Sequence, residues 1–414
     1  MGSLGGLLIC LTISPFGLFF SIFQLFYATT ETRKWLPLMI FSLGLLAYAY
    51  EPIHENDLTR YLTFALESSN YDFLETLEYF INQYPQDMGV PVYVFVQWIC
   101  GKLGCVHLIP MFSLMIVYGV SFYISSDLAA RFQVKKLTIY VILLQISLLP
   151  FLSIAGNVRN ICAFALVILA VYRDSVMNKK NITTILLYIL PVFIHTAALI
   201  LIGIRMLIGF NTRYQIFVFG GVVFLPQVVN FLFDAKSFFA LLGPVGDTIN
   251  LVILKIYLYL NDVDSEWAQA VINSRFQTAN KFVLCSLAVL ICILIYFYIN
   301  KIVQKPLKRF LNYEFFLCAL TISTLWFATP HYWRFACTFC IAIAIVFFSL
   351  YEEIDLCPLW IRICRKVLFA YIPICIALNW YIGGAMVNYI EWIEKFFMTN
   401  IFTIGLDIIS ATLL

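Results

Sequence analysis

Long apolar stretches run through this chain, among them Leu4–Tyr27, Leu137–Ala155, Lys281–Asn300 and Val367–Met386, and short clusters of charge separate them. A helix rising 1.5 Å per residue needs about 20 such residues to cross a hydrocarbon layer about 30 Å thick. Unpaired backbone amides are too costly in lipid, so only helices or closed barrels cross it. The runs are continuous and lack the period-2 alternation of barrel strands, which excludes a barrel. The pattern predicts an all-α, polytopic integral membrane bundle of about twelve or thirteen transmembrane helices, a single domain over residues 1–414. Two stretches do not fit one crossing each. Gly89–Gly104 is short and ends in the polar Lys102, and reads as a re-entrant or surface helix. Ile182–Phe210 must go out and return, and reads as a hairpin of short helices turning near His195.

Composition agrees. The chain is 62% hydrophobic and 12% charged, with a mean hydropathy of +0.91, against about 45–50% apolar and about 25% charged in soluble domains. The first apolar stretch lacks a basic leading region and a small-residue cleavage site, and reads as a retained helix rather than a signal peptide. Most of the twelve cysteines lie inside apolar runs, as small hydrophobes do. The net charge of +3 gives no reason to expect nucleic acid.

The position of the basic residues says more than their number. Seventeen of the 26 fall in six segments, around Arg33/Lys34, Arg131/Lys135/Lys136, Arg173/Lys179/Lys180, Arg205/Arg213, Lys301–Arg309 and Arg362–Lys366. Short loops rich in Lys and Arg stay cytoplasmic. Placing all six inside leaves two long segments outside, 51–88 with a surface helix and 234–280 with a membrane-parallel helix near Thr248–Leu260.

Four arginines, Arg60, Arg159, Arg275 and Arg334, then fall at the outer ends of helices, as do all four histidines, His54, His107, His195 and His331. The positive-inside tendency disfavours arginine there, so another interaction should retain it. Guanidinium groups bind phosphate oxygens bidentately and stay charged, which points to an anionic ligand. Arg159 is the sharpest case, because it opens a helix whose free N–H groups also favour an anion. Asp57 and Arg60 stand i, i+3 and share a helix face. Asp57 can orient Arg60, bind a sugar hydroxyl or act as a base. His195 marks the hairpin turn, and Tyr332, Trp333 and Arg334 follow His331 directly. Simpler readings stand beside these: interface snorkelling for each arginine, an N-cap for Asp57, a packing role for His195, an aromatic belt for Tyr332 and Trp333. Asp262-Val263-Asp264 reads as a solvated acidic turn, and neither a metal site nor a cofactor is expected. Nucleotide-hydrolysis, zinc-protease and serine-hydrolase motifs do not occur.

Asn157-Val158-Arg159-Asn160, a helix closing in Tyr172-Arg173, Lys179-Lys180, and His195-Thr196-Ala197-Ala198-Leu199 together resemble the EpsG-like family of polysaccharide polymerases. Asp57, Arg60 and Tyr61 fit that family's outer-loop Asp-x-x-Arg-Tyr, and Val90-Pro91-Val92-Tyr93 echoes its Glu-Pro-x-aromatic helix without the glutamate. The likeness covers roughly residues 36–210. It implies a GT-C-like membrane glycosyltransferase of the Wzy type, which joins undecaprenyl-diphosphate-linked oligosaccharide repeat units at the outer face of the bacterial cytoplasmic membrane. It implies that Arg159, Arg60, Asn157, Asn160 and Tyr61 bind substrate, with His195 or Asp57 taking the acceptor proton and no metal required; Arg334, Arg275, Tyr332 and Trp333 as binding residues, and His331 as a further base, lie beyond the likeness and rest on their outer-face placement alone. A histidine base would give an acid limb at roughly pH 6–7. A flippase and a chain-length regulator would be its partner proteins. The rivals are a lipid-linked oligosaccharide flippase, a membrane sugar acyltransferase and a structural membrane subunit.

Overall fold

A computed structural model of the protein describes residues 5, 12–27, 34–52, 57–84, 90–132, 135–208, 214–261, 266–303, 305–325, 331–351, 358–384 and 387–413. Every regular element among them is helical. Among the described residues, two helices are long and apolar enough to cross a membrane, Leu108–Arg131 and Arg275–Ile302. Two bent pairs, Gln215–Val223 with Leu225–Asp234 (63°) and Tyr332–Ala342 with Ala344–Leu350 (40°), raise the number to four if each is one span. Many of the apolar runs are broken into helices shorter than a single straight crossing. Leu137–Ala155, expected as one crossing, is interrupted at Pro150, which has no N–H to give, so one helix ends at Leu148 and another covers only Phe151–Gly156. Shorter apolar helices such as Leu36–Tyr48, Ile182–Ile194 and Ala198–Leu207 hold 10 to 13 residues, and at 1.5 Å per residue they reach only about 15–20 Å. Ile182–Ile194 and Ala198–Leu207 form the expected hairpin, and the expected short helix near Lys102 is Pro91–Lys102. Cys100 and Cys105, near enough in sequence to invite a disulfide, are both free.

Hydrogen bonds fix how the helices run. Ser113 donates to Val158 O, and Tyr172 donates to Asp127 Oδ2 at 2.7 Å. The helices Leu108–Arg131 and Val158–Ser175 therefore lie parallel. Ile182–Ile194 returns beside the second, with Arg173 Nε donating to Thr184. Tyr313 donates to Leu201 O, and Thr321 meets Phe335 O, so the N-terminus of Tyr332–Ala342 lies at the end where Val158–Ser175 begins. The opposite end carries the ion pairs Asp127–Arg131 and Asp174–Arg205.

Buried side chains form two cores. The larger includes Leu114, Phe164, Phe316, Trp333 and Phe339. The smaller gathers Leu58, Tyr61, Phe64, Tyr93, Val94 and Val158. Val158 belongs to one and Ile161 to the other, so the start of this helix is the seam between them. Interior polar bonds such as Gln145 Nε2 to Ile341 O and Tyr118 to Leu149 O tie helices together where lipid supplies no hydrophobic drive.

The turn holding Lys180 is at the end opposite the Val158 helix start. In a background without native cysteines, a membrane-impermeant thiol reagent applied to intact cells is expected to label Asn70→Cys and to spare Lys180→Cys. Equal labelling of both would refute this sidedness.

Candidate functional site

Asn157 separates Phe151–Gly156 from Val158–Ser175, and its Nδ2 donates back to Ser153 O. Arg159 is thus the second residue of a new helix and sits among its free N–H groups. Its side chain is 8% exposed. The guanidinium carbon lies 5.1 Å from the Tyr61 ring centre and 5.6 Å from that of Tyr93. The two rings meet edge to face at 5.2 Å. Cation–π contacts of this kind are each worth about 0.5–2 kcal/mol, more as water is excluded.

Arg334, in the first turn of Tyr332–Ala342, reaches across to three other segments. Its Nη2 donates to Asp57 Oδ2 at 3.1 Å and its Nε to Asn157 Oδ1 at 3.2 Å. With the Asn160 amide turned to suit its neighbours, Oδ1 accepts from Arg334 Nε and Nη1 at 3.0 and 3.2 Å, and Nδ2 donates to His195 Nε2. Asp57 gives its other oxygen to Arg60 Nη2 at 2.5 Å.

His195 ends Ile182–Ile194 in an extended conformation, which turns the chain and lets Ala197 N–H donate to Nδ1 at 3.1 Å. The residue lies in the turn, outside both helices. Burial, then the Arg159 and Arg334 charges, hold its imidazole well below the ordinary value. His331 is buried just before Tyr332–Ala342, and burial followed by Arg334 pushes it down to about 3. An acid limb from either histidine therefore lies below the pH 6–7 expected from an unperturbed imidazole.

One cluster thus holds Asp57, Arg60, Tyr61, Asn157, Arg159, Asn160, His195, His331 and Arg334. Three anticipated residues are not in it by any contact among the described residues. Tyr332 gives its hydroxyl to Gln277 Oε1 at 2.8 Å and accepts from Asn280 Nδ2 at 3.0 Å. Trp333 packs in the larger core, and Arg275 is exposed at the start of its own helix. Tyr93, not anticipated as a site residue, joins through Arg159. A small pocket beside the cluster is lined by Arg60, Tyr61, Phe64, Phe80, Tyr84 and Gln97. No group of three or more His, Cys, Asp or Glu that could hold a metal occurs among the described residues. His54 and Asp262-Val263-Asp264 lie outside the described residues. Comparison with known protein families, curated proteins and solved structures finds no match for this chain.

Unfolded His331 binds a proton below its ordinary value near 6.5, while folded His331 does so only near 3. The unfolded state therefore gains protons first, and stability drops as pH falls from about 6.5 towards 3. Thermal unfolding in detergent between pH 7 and 4.5 should show a shallower loss for His331→Gln than for the parent. An identical slope would remove His331 from the account.

Proposed function

We propose that this protein is a multi-pass membrane glycosyltransferase that polymerises oligosaccharide repeat units carried on a polyprenyl diphosphate. In this reading the bundle is GT-C-like, with about twelve or thirteen crossings counting its short and bent helices. It sits in a bacterial cytoplasmic membrane with the cluster on the outer face. The observation that carries the reading is the meeting of Arg60, Arg159 and Arg334 with Asn160 and His195 at one end of the bundle. A diphosphate needs fixed positive charge, and a partly buried site makes each guanidinium count for more than it would in water. A transporter would call for charge reaching both ends. Here the stretch from Ile161 to Val171 between the Arg159 cluster and the Asp127–Arg131 end is apolar and mostly fully buried.

The transfer balances as follows. The acceptor hydroxyl oxygen bonds to the donor sugar's anomeric carbon, the bond from that carbon to the diphosphate oxygen breaks, and its electron pair leaves with the lipid diphosphate. The hydroxyl proton passes to a base. Arg159 and Arg334 stabilise the charge growing on the leaving oxygens. His195 is the favoured base because it lies beside both and its ring is neutral; a diphosphate bound to Arg159 and Arg334 would offset the charges that lower its proton affinity. Asp57 is less suited, since both its oxygens already face arginines.

In a polymerisation assay with its lipid-linked repeat unit, Arg159→Lys should lose most activity, because it keeps the charge but not the fork. Near-parental polymer from well-expressed Arg159→Ala would sink the assignment. Removing a general base costs about 10²–10⁴-fold in rate. Single-turnover rates of His195→Gln should fall in that range with donor binding nearly intact, and rates within a few-fold of the parent would take the base role from His195.

A further inference from the structure

Among the described residues, the cluster contains three guanidinium groups and one carboxylate. Asp57 is the carboxylate, and each of its oxygens faces a different arginine, Oδ1 with Arg60 and Oδ2 with Arg334. Those guanidiniums are the donors that an anionic ligand would otherwise engage. The helix Asp57–Ser68 that carries it meets Tyr332–Ala342 only from far along the sequence, so this pairing is a tertiary feature and not only an i, i+3 contact.

We propose that Asp57 is a charge-counting residue that makes the site accept a diphosphate diester and release a diphosphate monoester. The idea rests on the reading of the cluster as a diphosphate site. Three guanidiniums and one carboxylate leave two net positive charges. A donor in which both ends of the diphosphate are esterified carries two negative charges, one on each phosphorus. After transfer, the sugar–oxygen bond is gone and its electron pair stays on the terminal phosphate. A terminal phosphate ionises a second time at about pH 6, so near neutral pH the leaving lipid diphosphate carries about three charges. Without Asp57 the site would hold that product more tightly than the next donor. With Asp57 in place, the extra oxygen charge of the product meets a carboxylate, and the product is pushed out. The residue acts on the ligand's charge state and needs no proton transfer of its own.

Two probes separate this from simple anion binding. Geranyl diphosphate is a monoester, and P1-geranyl P2-methyl diphosphate is the matching diester. Both would be titrated into the purified full-length protein in nanodiscs at pH 8, with Arg159→Ala protein as the background for partition into lipid. The quantity read is the ratio of the two Kd values, which is insensitive to the fraction of protein that is active. The parent should bind the diester as well as the monoester or better. Asp57→Asn should shift the ratio towards the monoester by at least about tenfold, since a unit charge a few ångströms away in a partly buried site exceeds that factor. Asp57→Glu should restore the parental order, and Arg60→Gln should shift the ratio the opposite way. Should Asp57→Asn fail to fold, the parental ratio still decides: a monoester bound at least about tenfold tighter than the diester at pH 8 would overturn the role given to Asp57. Ratios that agree within twofold in every variant would overturn the role given to Asp57 while leaving the anion site standing. If neither probe binds the parent above the Arg159→Ala background, the diphosphate reading and this inference fall together.

Discussion

Arg334 is the contact on which the arrangement of this end of the bundle depends. One guanidinium joins Asp57, 277 residues away, to Asn157, 177 residues away, and through Asn160 to the turn at His195. None of these segments is a sequence neighbour of another, and none is long enough to define the site alone. Its side chain is 12% exposed against 34% for Asp57, so the pair sits at the mouth of the buried region. Part of its attraction is screened there, yet removing the arginine would leave the Asn157 and Asn160 carbonyl oxygens and the Asp57 carboxylate without their shared donor. Cationic charge in this position therefore organises the structure of this end of the bundle.

The two cores explain why the cluster is there. Apolar packing on either side of Val158 leaves one helix start between them, and the polar end of that helix has nowhere apolar to go. Tyr61 and Tyr93 cover Arg159 with their rings, which favour a cation and exclude water. A guanidinium held this way is charged at any working pH. The histidines beside it respond in the opposite sense and stay neutral, His331 down to about pH 3. Fixed positive charge and neutral imidazole therefore stand side by side, the first lowering the proton affinity of the second.

Much of this was legible in the sequence, for reasons that differ by residue. The helical character and the hairpin at His195 followed from hydropathy, which reads lipid solvation directly. Arg60, Arg159 and Arg334 stood out because arginine is misplaced outside the basic segments. Tyr93 was not legible as a site residue, because an aromatic residue in an apolar helix looks the same whether it packs or covers a cation. Arg275 and Tyr332 shared the sequence signature of the others, yet Tyr332 is tied to Gln277 and Asn280. Only tertiary placement separates them. Hydropathy counts apolar residues and takes no account of the break at Pro150 or the bend between Val223 and Leu225, so the lengths of individual helices were not legible in it.

His195 and Asn160 show how a ligand could be felt through the site. A neutral imidazole carries one hydrogen. While Nδ1 accepts from Ala197 N–H, that hydrogen belongs on Nε2, and the ring then asks Asn160 for an oxygen. Arg334 asks for the same oxygen, at 3.0 and 3.2 Å. Asn160 has one carbonyl oxygen to face both, so satisfying Arg334 turns the amide N–H groups towards His195 and sets the Asn160 contact against the Ala197 contact. An anion that takes over the Arg334 donors relieves the competition, because Asn160 is then free to present its oxygen to the ring. On the proposed reading, in which Arg334 holds an anion, the tautomer of His195 would follow that anion through a single amide rather than through any movement of the helices.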